Sequence, residues 1–292
     1  MRILWNILLF STIILAQDST QSIYRAYTPH YFLKFGHYLF ENRDYARAAT
    51  ELERFLFIQP VDTFPRVHFR VALAYFRLEA YPQAQLHFQS ALTLAPPVSP
   101  LADSLRLGLA AIALRTANSP QLSPPLPNLP QLGKDGIHLT YRLYHALAQL
   151  KQHHFQQAQV YLPQDTAQIS SDVRYGFFRV HRLIKKGLHL PQKSPWKAAL
   201  FSTLLPGSGK FYTRQAGDGI YSFLLVVGSS LLSYRGFRRG DPFQKFFFGG
   251  AALFFYTGNI YGSYLSAKMY NQRARERLNE EIQQEIRYWT RF

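Results

Sequence analysis

Apolar positions along the chain follow three rhythms. Over residues 3–16 they form a nearly unbroken run of 14, closed abruptly by Gln17-Asp18-Ser19. Over residues 28–190 they recur at three- and four-residue intervals, the spacing of one helix face. After residue 197 they return as blocks at 198–205, 219–234 and 246–267. In the last stretch, 272–292, they thin to a stripe of Leu278, Ile282, Ile286 and Trp289 at i, i+4, i+8 and i+11. These rhythms predict an all-α chain whose halves meet different surroundings.

The middle rhythm repeats itself. NRDYARAATELERFLFIQP and LEAYPQAQLHFQSALTLAP superpose without a gap, so Tyr45 matches Tyr81, Ala48 matches Ala84, Leu52 matches Phe88 and Pro60 matches Pro96, 36 residues apart. The physics is that of two antiparallel helices per unit. A small residue lets the second helix approach the first, an aromatic fills the wedge beside the turn, and proline stops the second helix. On these residues the segment resembles tetratricopeptide repeats. Phe155 and Ala158 place a degenerate third copy at 141–162, and 101–116 and 172–186 read as further, unpaired helices. The repeat-like region spans 28–190, broken at 119–131 by five prolines that favour extended chain, either a plain spacer or a PxxP-type ligand. Such arrays present a groove, which implies a protein or peptide partner.

The first run reads as an export signal, with Met1-Arg2 as its charged start, a short apolar stretch and Ala16 before the polar exit. Residues 1–16 are therefore expected to be a signal peptide, with an uncleaved anchor as the alternative. Of the later blocks, 246–267 is long enough to span about 30 Å of hydrocarbon, and 219–234 spans it only with little tilt. Residues 198–212, broken at Pro206-Gly207-Ser208-Gly209, read as a re-entrant or interfacial piece leading into a transmembrane helical hairpin. Gly258, Gly262 and Ser266 recur every four residues, a small-residue face for packing against the other hairpin helix or a second copy of the chain. Asn259, among apolar residues, should face protein. The 272–292 tail is an amphipathic helix that packs on the repeats, lies at the membrane surface or forms a coiled coil.

The segment SPWKAALFSTLLPGSGKFY is similar to the opening of a bacterial membrane domain of unknown function. Its members begin (S)P-x-K-A-x-x-x-S-x-x-x-P-G-x-G-x-x-Y and continue as a hydrophobic hairpin. Ser194, Pro195, Lys197, Ala198, Ser202, Pro206, Gly207, Gly209 and Tyr212 match it, and Lys210 stands where Gln is usual. Asn259, Tyr261, Tyr264 and Asn271 resemble the close of such modules, so the likeness covers 194–271. It implies a membrane module that often follows exported helical repeats, and no catalytic activity.

Composition narrows the picture. Charged residues are 17% of the chain, below the roughly 25% of soluble domains. With no cysteine there is no disulfide, no thiolate zinc site and no lipid-modified N-terminal Cys, so attachment to a membrane must come from the polypeptide. The net charge of +16 is spread over both halves without a nucleic-acid-binding fold, which points to anionic headgroups near 173–197 and away from nucleic acid. The short loop at 235–245 carries Arg235, Arg238, Arg239 and Lys245 against Asp241, the balance of a cytoplasmic loop. GSGKF lacks the spacing of a phosphate loop, having Leu204 and Phe211 where Gly and Ser or Thr are needed. His145, His153 and His154 lack neighbouring carboxylates for a metal. The expectation is thus no catalytic residue, no metal and no cofactor. The sequence describes a non-enzymatic protein of the bacterial inner membrane, with its repeats exported and the bilayer as a partner. The alternative is a subunit of an export, assembly or envelope-biogenesis complex acting through its hairpin.

Overall fold

Prolines start many of the helices and left-handed turns end several. The computed structural model describes residues 28–59, 63–116, 136–163 and 169–291, and every regular element among them is an α-helix. In chain order these are α1 (Pro29–Glu41), α2 (Tyr45–Ile58), α3 (Pro65–Arg77), α4 (Tyr81–Leu94), α5 (Pro100–Arg115) and α6 (Gly136–Lys151). After them come α7 (Phe155–Val160), α8 (Ser171–Leu188), α9 (Pro195–Leu204), α10 (Ser208–Tyr212), α11 (Ala216–Arg239) and α12 (Pro242–Trp289). The expected signal peptide, Pro60 and the Pro-rich break lie outside the described residues. Two compact units result, Met1–His181 with Glu285–Phe292, and Arg182–Gln284.

The first unit is built from hairpins, α1 with α2, α3 with α4, and α6 with α7, each packed face to face. One turn is used three times. Arg43, Glu79 and His153 adopt φ of 63°, 59° and 61°. Each stands two residues before the aromatic that opens the next helix. The amide after each reaches back five residues, from Asp44 to the Leu39 carbonyl (2.9 Å), from Ala80 to Tyr75 (3.0 Å) and from His154 to Gln149 (2.9 Å). That six-to-one bond with a left-handed residue ends a helix by satisfying its last carbonyls. Tyr45 closes the first turn edge-on against Phe40 and Tyr81 closes the second against Phe76, with ring centres 5.4 and 5.6 Å apart.

Ala48, Ala84 and Ala158, the small residues expected where the second helix approaches the first, are fully buried. A second small-residue position also repeats every 36 residues, at Gly36, Ala72 and Gly108. A Cβ on Gly36 would meet Leu52 at 2.7 Å, and one on Gly108 would meet the Phe88 ring at 2.5 Å. Pro96 lies two residues beyond the end of α4, as a helix-stopping proline should. The Lys151 ammonium, its pKa lowered by burial, donates to the Leu114 and Thr116 carbonyls (2.9 and 2.7 Å) and so caps α5.

The same unit takes in the last turns of α12. The Tyr144 hydroxyl donates to the Trp289 carbonyl, Arg115 Nε donates to Thr290 Oγ1, and Arg179 pairs with the buried Glu285. Gly176 leaves room for the Trp289 indole, which a Cβ would meet at 2.4 Å. Of the three destinations open to the tail, its last turns take the helical-hairpin unit.

In the second unit the expected 219–234 span is the middle of a longer helix. α11 runs 24 residues, about 36 Å at 1.5 Å per residue. It is started after Arg214, at φ 62°, and ended by Gly240 at φ 71°. The 246–267 block and the 272–292 tail, read separately from the sequence, form one helix, α12, of 48 residues. Among the described residues one helix, Ala216–Arg239, is long and apolar enough to cross a membrane by length and composition. Glycine, tyrosine and asparagine dilute the hydropathy of 246–267.

Candidate functional site

Several of the residues singled out after Ser194 converge in the second unit on one turn. The chain leaves α9, bends at Pro206-Gly207 and enters α10. Gly207 sits at φ 86°, and a Cβ there would lie 2.1 Å from the Gly219 carbonyl oxygen. At Gly209 a Cβ would lie 2.0 Å from the Ala198 carbonyl oxygen. Any side chain at either position collides with backbone, which explains why glycine stands at both.

The polar groups released by this bend are met from α12. The Gly207 amide donates to Asn259 Oδ1 (3.1 Å), and Asn259 Nδ2 reaches the Ser202 carbonyl (3.4 Å). The Gly209 amide donates to Ser202 Oγ (3.0 Å), which shares a 2.6 Å hydrogen bond with Ser263 Oγ. One turn further on, Ser266 donates to Gln215 Oε1 and lies 2.6 Å from the Thr213 hydroxyl. At the end of this ladder Asn271 clasps Lys193, accepting from its amide (2.7 Å) and donating to its carbonyl (2.8 Å). Buried backbone amides need such partners, so Asn259, Ser263, Ser266 and Asn271 form the seam that holds the bend.

The expected residues divide accordingly. Pro206, Gly207, Gly209 and Asn259 meet at the bend, and the Tyr212 hydroxyl accepts from the Ser194 amide at 3.3 Å. Tyr261 points away and is 66% exposed. On the small-residue face Ser266 alone is packed. Gly258 has no neighbour within 4 Å of an added Cβ, and Gly262 would make only ordinary contact with Lys210 at 3.7 Å. The close approach passes along Asn259 and Ser263, one residue later, and along Ser266 itself. Lys210, where Gln is usual, reaches Ser222 Oγ on α11 at 2.8 Å.

Around this polar seam the outer surface is apolar. Ile220, Leu224, Leu231 and Leu232 of α11 are exposed, as are Phe246, Phe247, Leu253 and Phe254 of α12. Only 17% of the apolar stretch of α11 is buried.

Among the described residues no group of three His, Asp or Glu could hold a metal. His145 is stacked on Tyr161 and edge-on to Tyr141, and burial lowers its pKa to about 4. His153 supplies a left-handed turn, and His154 pairs with Gln149. A cluster not anticipated from the sequence joins three helices. Tyr75 donates to Glu53 Oε1 (2.9 Å), His87 Nε2 lies 3.2 Å from the same oxygen, and His68 and His87 meet Nδ1 to Nδ1 at 3.0 Å. Burial and the Glu53 contact raise the Tyr75 pKa to about 12. Its members come from α2, α3 and α4 at unrelated repeat positions, so no spacing announced it.

Comparison with family models, curated proteins and solved structures gives no match.

Proposed function

We propose that the protein is a membrane-anchored, non-enzymatic envelope protein. Its helical hairpins, which resemble tetratricopeptide repeats, bind a protein or peptide partner. Its second unit, which resembles the bacterial membrane domain of unknown function, anchors them as a transmembrane hairpin in the inner membrane. The observation that carries this reading is the inversion of the second unit, polar along its inner seam and apolar on its outer faces. Exposed apolar surface costs about 25 cal/mol per Å² in water, and a bilayer removes that cost. α11 exceeds the roughly 30 Å of hydrocarbon, and Arg235, Arg238 and Arg239 at its end suit a headgroup layer.

A return crossing by the first part of α12 is supported by the tail. Residues 285–292 belong to the same compact unit as the hairpins, so they occupy the same side of any membrane that α11 crosses. An even number of crossings then follows.

The reading predicts that the protein resists extraction by alkaline carbonate. A Gln83→Cys variant, on the exposed face of α4, should react with an impermeant maleimide from the exported side. Release by carbonate removes the anchor from this account, and labelling of position 83 only after lysis reverses its side.

The second reading, a subunit acting through its hairpin, draws on Gly258. Its open position on α12 suits close approach by a helix from another chain. Gly258→Leu should then release a co-purifying membrane complex while leaving the hairpins folded. An unchanged complex rejects it.

A further inference from the structure

Beside the seam, where the apolar part of α12 gives way to its charged part, the second unit has a pocket lined by four cations: Lys186, Arg214, Arg273 and Arg277. Tyr270 forms one wall, and the Lys193 ammonium lies 5.9 Å over its ring. The cations come from three separate stretches of chain. Arg214 is the left-handed residue before α11, Arg273 and Arg277 lie one turn apart on α12, and Lys186 comes from the end of α8. Glu281 pairs with Lys186. Among the described residues no carboxylate lies within 4 Å of the Arg214, Arg273 or Arg277 guanidinium groups, which leaves three cations around one space.

All four cations are exposed to solvent, which screens their mutual repulsion, and an anion held between them relieves what remains. Like charges four residues apart on a helix repel, and Arg214 brings a third to the same space. Guanidinium groups present paired donors that match the oxygens of a phosphate, and arginine converging from several elements is how such groups are held. The pocket also lies level with the start of α11 and the exit of the apolar part of α12. In the reading above, that is the depth of lipid headgroups.

We propose that this pocket binds a phosphate group, held by Arg214, Arg273 and Arg277 with Lys186 at the rim. Two sources carry that chemistry, the headgroup of an acidic phospholipid and free phosphate. The lipid source rests on the membrane reading, and the pocket itself does not.

The test is calorimetric titration of the full chain in neutral detergent, once with short-chain phosphatidylglycerol and once with inorganic phosphate. Both are repeated on R273Q/R277Q and on R238Q/R239Q, which removes two exposed arginines outside the pocket. Saturable binding that weakens at least about tenfold in R273Q/R277Q and persists in R238Q/R239Q is the expected result, since charged hydrogen bonds are the strong ones. Binding of phosphatidylglycerol alone assigns the lipid. Binding of both assigns the phosphate group itself as sufficient. No saturable binding of either ligand, or equal loss in both variants, overturns the proposal. Should the protein bind phosphate yet be released by carbonate, the pocket stands and the membrane reading fails.

Discussion

The Tyr144 hydroxyl donates to the Trp289 main-chain carbonyl at 2.6 Å, joining positions 145 residues apart in sequence. Between them lies every apolar block of the second unit. A chain that leaves the hairpin unit through α8 and returns to it at Glu285 must undo any crossing it makes. The bond therefore bears on topology as much as on stability.

Tyr144→Phe removes that donor and leaves the part-buried Trp289 carbonyl without this partner. A loss of about 1 kcal/mol is expected, read as a lower melting temperature of the detergent-solubilised chain. Removing residues 285–292 should cost more, because the Arg115 and Arg179 partners go with it. An unchanged melting temperature in the truncated chain would show that the tail does not belong to the hairpin unit.

His145 makes the hairpin unit sensitive to acid. Burial holds its pKa at about 4, while the unfolded chain restores about 6.5. The unfolded state thus binds more protons between these values. Stability is full above about pH 6.5 and falls as pH drops toward 4, by roughly 2–3 kcal/mol in total. His145→Phe keeps the stack with Tyr141 and Tyr161 and removes the proton site, so this part of the pH dependence should disappear. A variant with the same acid slope contradicts the assignment.

Arg43 occupies a left-handed backbone position with its side chain exposed. Arg43→Gly should stabilise the first hairpin by roughly 0.5–1 kcal/mol, and Arg43→Val should destabilise it. Equal melting temperatures for the two variants would mean that the turn is not held as described.

Asn259→Leu deprives the Gly207 amide of its acceptor in a buried site. The expected cost is about 1–3 kcal/mol, together with faster proteolysis at the 205–209 bend. Resistance equal to that of the unaltered chain would remove Asn259 from the seam.

These residues also show what the sequence could reveal. The hairpins were legible because Tyr45 and Tyr81, and Ala48 and Ala84, return at one spacing with one steric job each. Asn259 was legible because a lone amide among apolar residues must find a partner. The continuity of α12 was not, because a hydropathy pattern changes at residue 272 while nothing from 263 to 289 breaks a helix. Gly258 and Gly262 marked a small-residue face by their spacing, which left open whether this chain or another covers it. Four-residue spacing identifies a face, and a shift of one residue decides which face is covered. The Glu53 and His87 cluster and the arginine pocket join positions from separate elements, which only the fold brings together.

The most direct test of the membrane reading compares the two ends of α11. Gly217 has open space around it and Arg239 is exposed, so Gly217→Cys and Arg239→Cys each place one thiol in a chain that otherwise has none. With an impermeant maleimide applied from the exported side, position 217 should react before lysis and position 239 only after it. Equal reaction of both positions before lysis would mean that α11 does not cross the membrane.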